Sequence, residues 1–309
     1  MDNIKKWNLD SDNMGFFFKR ELEQIRSKAY DIKKVPLKAR EVFPLDFEIH
    51  EGAEFVVYQQ YDMIGQAQVI ANYATDLPDV DVRGEEFQSR VKSLGDKYTY
   101  SVQDIRAAMK GQKPLQQRKA DAARKAMAIK ENKIAFNGEP THNIQGFFTN
   151  PNIPRVAAPV GASTSTEWAN KTPDEILDDL HFMATYASDI TDDVEQADTI
   201  CLPVKQYNLI RKTKMGQFDT RTIYQAFMDA SDYIKEIKSI PECKGAAEGG
   251  LDMAFAYRKD PDALQLVIPM EFLQHAAQQK GLEFQIPCEQ RIGGVVVYLP
   301  LSIVFMEGI

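Results

Sequence analysis

Residues Lys119 to Gly138 read KADAARKAMAIKENKIAFNG, a run of strong helix formers with no internal proline. Pro114 suits a first helical turn and Gly138 an end, so the pattern predicts one long helix over 114–136. Leu115, Ala122, Ala126 and Ile129 share a stripe on it, flanked by Ala123 and Met127, and the alanines allow a close-lying partner. Around the stripe sit Arg118, Lys119, Arg124, Lys125, Lys130 and Lys133, a cationic ridge. The run has no His, Cys, Ser or Thr, and its two carboxylates, Asp121 and Glu131, are ten residues apart. A long stiff element with no chemistry on it constrains what the rest of the chain must do.

The ridge belongs to an acidic protein. Over 309 residues the formal net charge is -8 and the pI about 5.2. That balance argues against a dedicated nucleic-acid binder, which is basic overall, but leaves room for a local basic face. The length allows one large domain or two ordinary ones, and a 44% hydrophobic fraction permits a sizeable core. Cys201, Cys243 and Cys288 are isolated from one another and read as buried reduced thiols. The opening MDNIKKWNLDSDNMG lacks an apolar segment, so no signal peptide is expected. The longest apolar-rich run, GGVVVYLPLSIVF, is too short and interrupted to span a bilayer, so no membrane partner is expected.

Residues 1–48 read as an arm. Phe16, Phe17 and Phe18 precede a helical pattern of Leu22, Ile25 and Ala29. The following DIKKVPLKAREVFPLDFEI reads as an extended segment that cannot bury a core by itself. From residue 54 the chemistry turns to strand. Gln66, Gln68, Ile70 and Asn72 alternate with Ala67, Val69, Ala71 and Tyr73, and Gly65 can serve as a turn or bulge. A face of Gln and Asn marks a ribbon outside the core. DLPDVDVRG continues it as a short strand or a tip charged at Asp79, Asp81 and Arg83.

Tyr98 and Tyr100 lead a strand into a helix that starts at Ser101, with Asp104 approximating a capping box, and stops at Gly111. After the long helix comes a Gly- and Pro-rich loop. TPDEILDDLHFMATYAS is a helix capped by Thr172, and ADTICLPVKQYNLIRKT a buried strand, a proline and a helix. TIYQAFMDAS is a short helix, and YIKEIKSI, MAFAYRK and ALQLVIPM are strands. The closing segment is two strands broken at Pro300.

Catalytic and metal motifs are missing. The four histidines, His50, His142, His181 and His275, have no ligand-spaced partners. DITDDVEQAD lacks the central Gly and terminal Glu of a calcium loop, and no phosphate loop, dinucleotide fingerprint or GxSxG elbow occurs. No cofactor or metal is expected and the chain does not read as an enzyme. An arm and a polar ribbon, neither with a core of its own, are costly to order in a monomer. Chains built this way satisfy such parts on neighbouring subunits.

The run YTYSVQDIRAAMKGQKPLQQRKADAARKAMAIKENKIAFNG followed by IQGFFTNPNI resembles a family of tailed-phage major capsid proteins. That family has the Hong Kong 97-type shell fold, an α+β architecture shared with encapsulins. GFFFKRELEQIRSKAYDI, ADTICLPVKQYNLI and IGGVVVYLPLSIVFMEGI resemble its other segments, in order, over nearly the whole chain. The resemblance implies an N-terminal arm at 1–48, an extended E-loop at 49–98 and a peripheral domain at 99–162 carrying the spine helix. It further implies an axial domain at 163–265 and a return to the peripheral domain at 266–309. A scaffolding segment before the arm, which some relatives carry, is not expected here, and no cross-linking Lys–Asn pair is identified.

The implied function is a shell subunit of a phage head, assembled in the host cytoplasm. The implied partners are the chain itself in pentamers and hexamers, a portal, scaffolding or decoration proteins, and packaged DNA in weak contact. Phe16, Phe17, Phe18, Tyr61, Gln66, Gln68, Asn72, Asp79, Asp81 and Arg83 are the expected intersubunit contacts. The alternatives are an encapsulin-type compartment, a soluble hydrolase with dispersed carboxylates, and a nucleic-acid module using the ridge.

Overall fold

The computed structural model describes residues 35–64, 81–111, 115–216 and 218–309, and the elements below belong to one compact unit, Pro36–Ile309. The chain enters through a one-turn helix α1 (Ala39–Val42) and a short strand β1 (Leu45–Asp46). Two long strands, β2 (Phe55–Ile64) and β3 (Asp81–Arg90), pair antiparallel from Phe55↔Arg90 to Ile64↔Asp81. Then come β4 (Lys92–Ser101), α2 (Val102–Gly111) and the long helix α3 (Leu115–Asn137). A loop with strand β5 (Arg155–Ala157) leads to α4 (Pro173–Ile190), β6 (Thr199–Leu202), α5 (Val204–Lys212), α6 (Ile223–Ala230) and β7 (Glu236–Ser239). The remaining strands are β8 (Met253–Tyr257), β9 (Leu264–Val267), β10 (Met270–Gln274), β11 (Gln278–Lys280), β12 (Glu283–Ile292), β13 (Gly294–Val297) and β14 (Ile303–Glu307).

A five-stranded mixed sheet, β5-β14-β8-β6-β7, divides two cores. Neighbouring residues on its strands point to opposite faces, so both faces are apolar and the strands read as unbroken runs such as MAFAY. Cys201, Phe255, Tyr257, Ile303 and Phe305 face a core shared with the C-terminal end of α3. Ile200, Leu202, Ala254, Ala256, Val304 and Met306 face the other core, covered by α4, α5 and α6. Thr172 and Thr222 cap α4 and α6 by accepting from Glu175 N and Gln225 N, each in a full capping box.

The second sheet, β1-β9-β13, closes the first core from the side, with Leu45 beside Leu266. In a third sheet β12 is central. It pairs with β4 from Glu283↔Ser101 to Ile292↔Lys92 on one edge and with β10 and β11 on the other. Helix α3 lies across this sheet, with Ala123 and Met127 packed on Leu94, Tyr98, Phe272 and Cys288. At its end Ile134, Ala135 and Phe136 are all buried, and the Phe136 ring sits 5.2 Å from Phe43 and 5.1 Å from Phe148. Gly138, at φ 72°, ends the helix. A Cβ on Gly146 would lie 2.1 Å from Gly138 N, so the returning loop needs glycine there.

Two expectations change. The buried line of α3 runs through Ala123, Met127, Glu131 and Ile134, while Ala122 and Ala126 are exposed. The stripe is rotated because alanine fits either face and so carries no orientation. The segment around Ala39–Val42 is also not simply extended. It forms α1, and Ala39, Val42 and Phe43 enter the core, with Tyr257 Oη donating to Val42 O at 2.7 Å.

Candidate assembly surfaces

Three regions matter in this layout: the α1 root, the ribbon, and the long helix. At the root, the α3 residue Asn132 accepts from Lys38 N at 3.0 Å and Ala39 N at 2.9 Å, capping α1 from outside. Its amide donates to Glu242 at 2.6 Å. Arg40 forks onto Glu131, Nε to Oε1 at 2.5 Å and Nη2 to Oε2 at 2.8 Å. The same guanidinium reaches Glu271 on β10 at 2.8 and 3.0 Å. Glu131 is almost wholly buried and also accepts from Gln290. The hydrogen bond to Glu131 holds the Arg40 pKa even further above neutrality. One side chain therefore ties α1 to α3 and to the third sheet.

Among the described residues the ribbon is anchored at its base. Tyr58 packs against Phe87 and Tyr298 and donates to Val297 O at 3.2 Å, and Ser89 donates to Gly293 O at 3.1 Å. On β12, Arg291 donates to the backbone carbonyls of Glu51 and Ala53. Further out the alternation of burial stops: Gln59, Gln60, Tyr61 and Gly84, Glu85, Glu86 are exposed, so neither face is covered. Phe55, Val57 and Tyr61 form an exposed apolar row on one face, with Arg90 over the Phe55 ring. Tyr61 covers the paired Gly84, where a Cβ would come 3.0 Å from its ring.

Of the expected contact residues, Tyr61 lies on this exposed row, and Asp81 and Arg83 fall at the start of β3. Phe16, Phe17, Phe18, Gln66, Gln68, Asn72 and Asp79 lie outside the described residues. The ridge on α3 divides in two. Lys119 donates to Thr99 O at 2.6 Å and sits over the Tyr100 ring, Arg124 sits over Phe272, and Lys130 pairs with Glu139. Arg118, Lys125 and Lys133 are exposed and make no ion pair among the described residues. Sequence reasoning missed Arg40, Asn132, Phe55 and Val57. The visible signal for the first two was a Glu131–Asn132 pair interrupting the apolar line of a helix.

The reactive groups are sealed inside. Burial pushes the Cys201 and Cys243 thiols up, which keeps them protonated and inert. Burial also raises the Asp179 carboxyl, but Trp168 Nε1 at 2.7 Å and Lys171 Nζ at 2.5 Å hold it within the core. Among the described residues no group of three or more His, Cys, Asp or Glu could hold a metal, and no helix is long and apolar enough to cross a membrane.

An exposed ribbon held on a well-packed body leaves surface for a neighbouring subunit to cover, as a shell-forming class of protein requires. The comparisons agree. The capsid of Myoviridae phage XM1 superposes with a TM-score of 0.82 at 18% identity, covering 96% of this chain and 100% of that chain. The capsid of the native GTA particle gives 0.64 at 12% identity, over 96% and 97%. The virus-like particle from Pyrococcus furiosus is more distant, 0.52 at 12% identity over 86% and 91%. No curated protein matches. A model of the major capsid protein family matches residues 65–309, and the chain belongs to that family. It is a structural shell protein of a phage head with the α+β Hong Kong 97-type fold, and it assembles with itself in the virion capsid.

Proposed function

We propose that the chain forms the pentamers and hexamers of an icosahedral head enclosing double-stranded DNA, with the ribbon and arm as the parts ordered on neighbours. The single observation that supports this reading is that the described ribbon residues past its base, 59–61 and 84–86, are exposed within their own subunit. A two-stranded ribbon alone is marginal in water, so a neighbour must cover it. In this reading residues 1–48 are the arm, 49–98 the E-loop, 99–162 with 266–309 the peripheral domain, α3 its spine, and 163–265 the axial domain. Phe16, Phe17, Phe18, Tyr61, Gln66, Gln68, Asn72, Asp79, Asp81 and Arg83 contact neighbouring copies. Arg118, Lys125 and Lys133 supply weak, salt-sensitive contact with packaged DNA. A portal and scaffolding or decoration proteins complete a head built in the host cytoplasm.

Light scattering and negative-stain imaging of the purified chain test this. Uniform particles are expected from the full chain, and a soluble subunit without shells after removal of residues 1–30. Normal shells from the truncated chain would refute the role of the arm. A full chain that stays monomeric or dimeric under all conditions would refute the assembly reading.

A further inference from the structure

The helical layer over the central sheet carries opposite charge on its two flanks. From Pro173 to Val194, which spans α4 and the turn after it, the chain has seven Asp and Glu, of which Asp179 is buried and paired with Lys171, and no Lys or Arg. From Val204 to Gly216, spanning α5 and the start of the next loop, it has four Lys and Arg and no Asp or Glu. Helix α6 packs against both α4 and α5, while α4 lies against β8 and β14 and α5 against β7. The acidic and basic flanks thus lie on either side of α6.

Each flank also exposes apolar surface. On α4, Phe182, Tyr186 and Ile190 follow one another at one-turn spacing, and Val194 continues the row. Phe182, Ile190 and Val194 are 38%, 42% and 75% exposed, and Phe182 stacks edge-on with Tyr186 at 5.7 Å. The carboxylates Asp178 and Asp189 beside this row are exposed and make no ion pair among the described residues. On the other flank Val204 and Phe218 are exposed, the latter fully. Lys212 and Lys214 stand exposed beside them without an ion pair among the described residues. Arg211 is held over the rings of Tyr207 and Tyr224.

We propose that these flanks are the two halves of one head-to-tail interface. The occupant of the acidic α4 row is the basic Val204–Phe218 flank of a second copy of this chain. Two different patches on one chain that fit each other generate a ring if the rotation closes, whereas either patch meeting itself brings like charges together. An apolar row rimmed by charge is the composition of a protein interface, and the opposite charges set orientation and encounter rate. The inference rests on the capsid reading and adds to it which surfaces meet within a ring.

The test uses the full chain. Variant one is Asp178→Lys with Asp189→Lys, variant two is Lys212→Glu with Lys214→Glu, and variant three combines both. Variants one and two are each expected to lower the assembled fraction at least about tenfold, and variant three to restore it to within about twofold of wild type. Circular dichroism of the soluble subunits monitors folding. Independently of any variant, carbodiimide cross-linking of mixed heavy- and light-isotope wild-type particles should join Lys212 or Lys214 of one copy to Asp178 or Asp189 of another. Wild-type particles without such cross-links, or folded variants one and two that assemble as well as wild type, would overturn this interface and leave the capsid reading intact. A wild-type chain that forms no particles would overturn both.

Discussion

At the scale of single residues the most informative side chains are polar ones in buried places. Arg40 neutralises Glu131, which is almost fully buried, and bridges to Glu271. Removing one partner of such a pair leaves an uncompensated charge. Arg40 is itself only half-buried, which screens the loss, so Arg40→Met is expected to cost about 2–3 kcal/mol, read by chemical denaturation of the subunit. A loss below about 0.5 kcal/mol would mean that Gln290 alone satisfies Glu131. Glu175 gives a pH signature. It accepts from Ala162 N at 2.6 Å and Thr172 N at 2.7 Å, and these bonds hold its carboxyl below the usual range. A depressed folded pKa contributes stability that is present above the unfolded value of about 4.3 and is lost as pH falls through the folded value. Glu175→Gln should therefore flatten the acid limb of stability against pH below about pH 4.3, and an NMR titration of Glu175 should place its pKa under that value. An unshifted titration would contradict the capping geometry. The Thr172 cap was legible in the sequence because a local motif encodes it. The clamp was not, because Arg40 and Glu131 are 91 residues apart.

At the scale of elements, the long helix was legible in extent and misread in rotation. Of its expected range, 114–136, Pro114 lies outside the described residues, and the observed Leu115–Asn137 ends one residue later. Its facing was lost because alanines dominate both sides. The distinction can be measured. Ala123 is buried against the third sheet and Ala126 is exposed. Ala123→Leu should cost about 1–3 kcal/mol by overpacking, while Ala126→Leu should stay within about 0.5 kcal/mol of wild type in the same denaturation assay. The reverse ranking would restore the original stripe. Strands β6, β8 and β14 of the central sheet were legible too, since burial on both faces forces apolar runs, while β5 lies in a stretch read as loop. The third sheet was not. Its central strand reads EFQIPCEQRI, polar and interrupted by Pro287. The proline is tolerated because, on that edge, strand pairing passes from β11 at Gln285 to β10 at Cys288, leaving Pro287 between the two.

At the scale of the whole molecule, the core and the surfaces divide the work. The two cores flanking the central sheet stabilise the subunit alone, and the exposed ribbon residues 59–61 and 84–86 contribute little to its folding. The expectation of a partner came from the arm and from a polar, coreless ribbon read on Gln66, Gln68 and Asn72, which lie outside the described residues. The apolar row Phe55, Val57 and Tyr61 sharpens it, since uncovered aromatic and aliphatic side chains are retained where another surface excludes water. Val57→Lys with Tyr61→Lys should leave subunit stability within about 0.5 kcal/mol of wild type, because both positions are exposed and Lys keeps a strand-compatible stem. Assembly should fall, and by more than either change alone produces, because each neighbour-to-neighbour contact recurs around the shell and small losses multiply through a cooperative closure. Sedimentation of assembled against free protein at fixed concentration reads the effect. Unchanged assembly would place the covered part of the ribbon elsewhere. A destabilised subunit would show instead that the row packs on its own protomer.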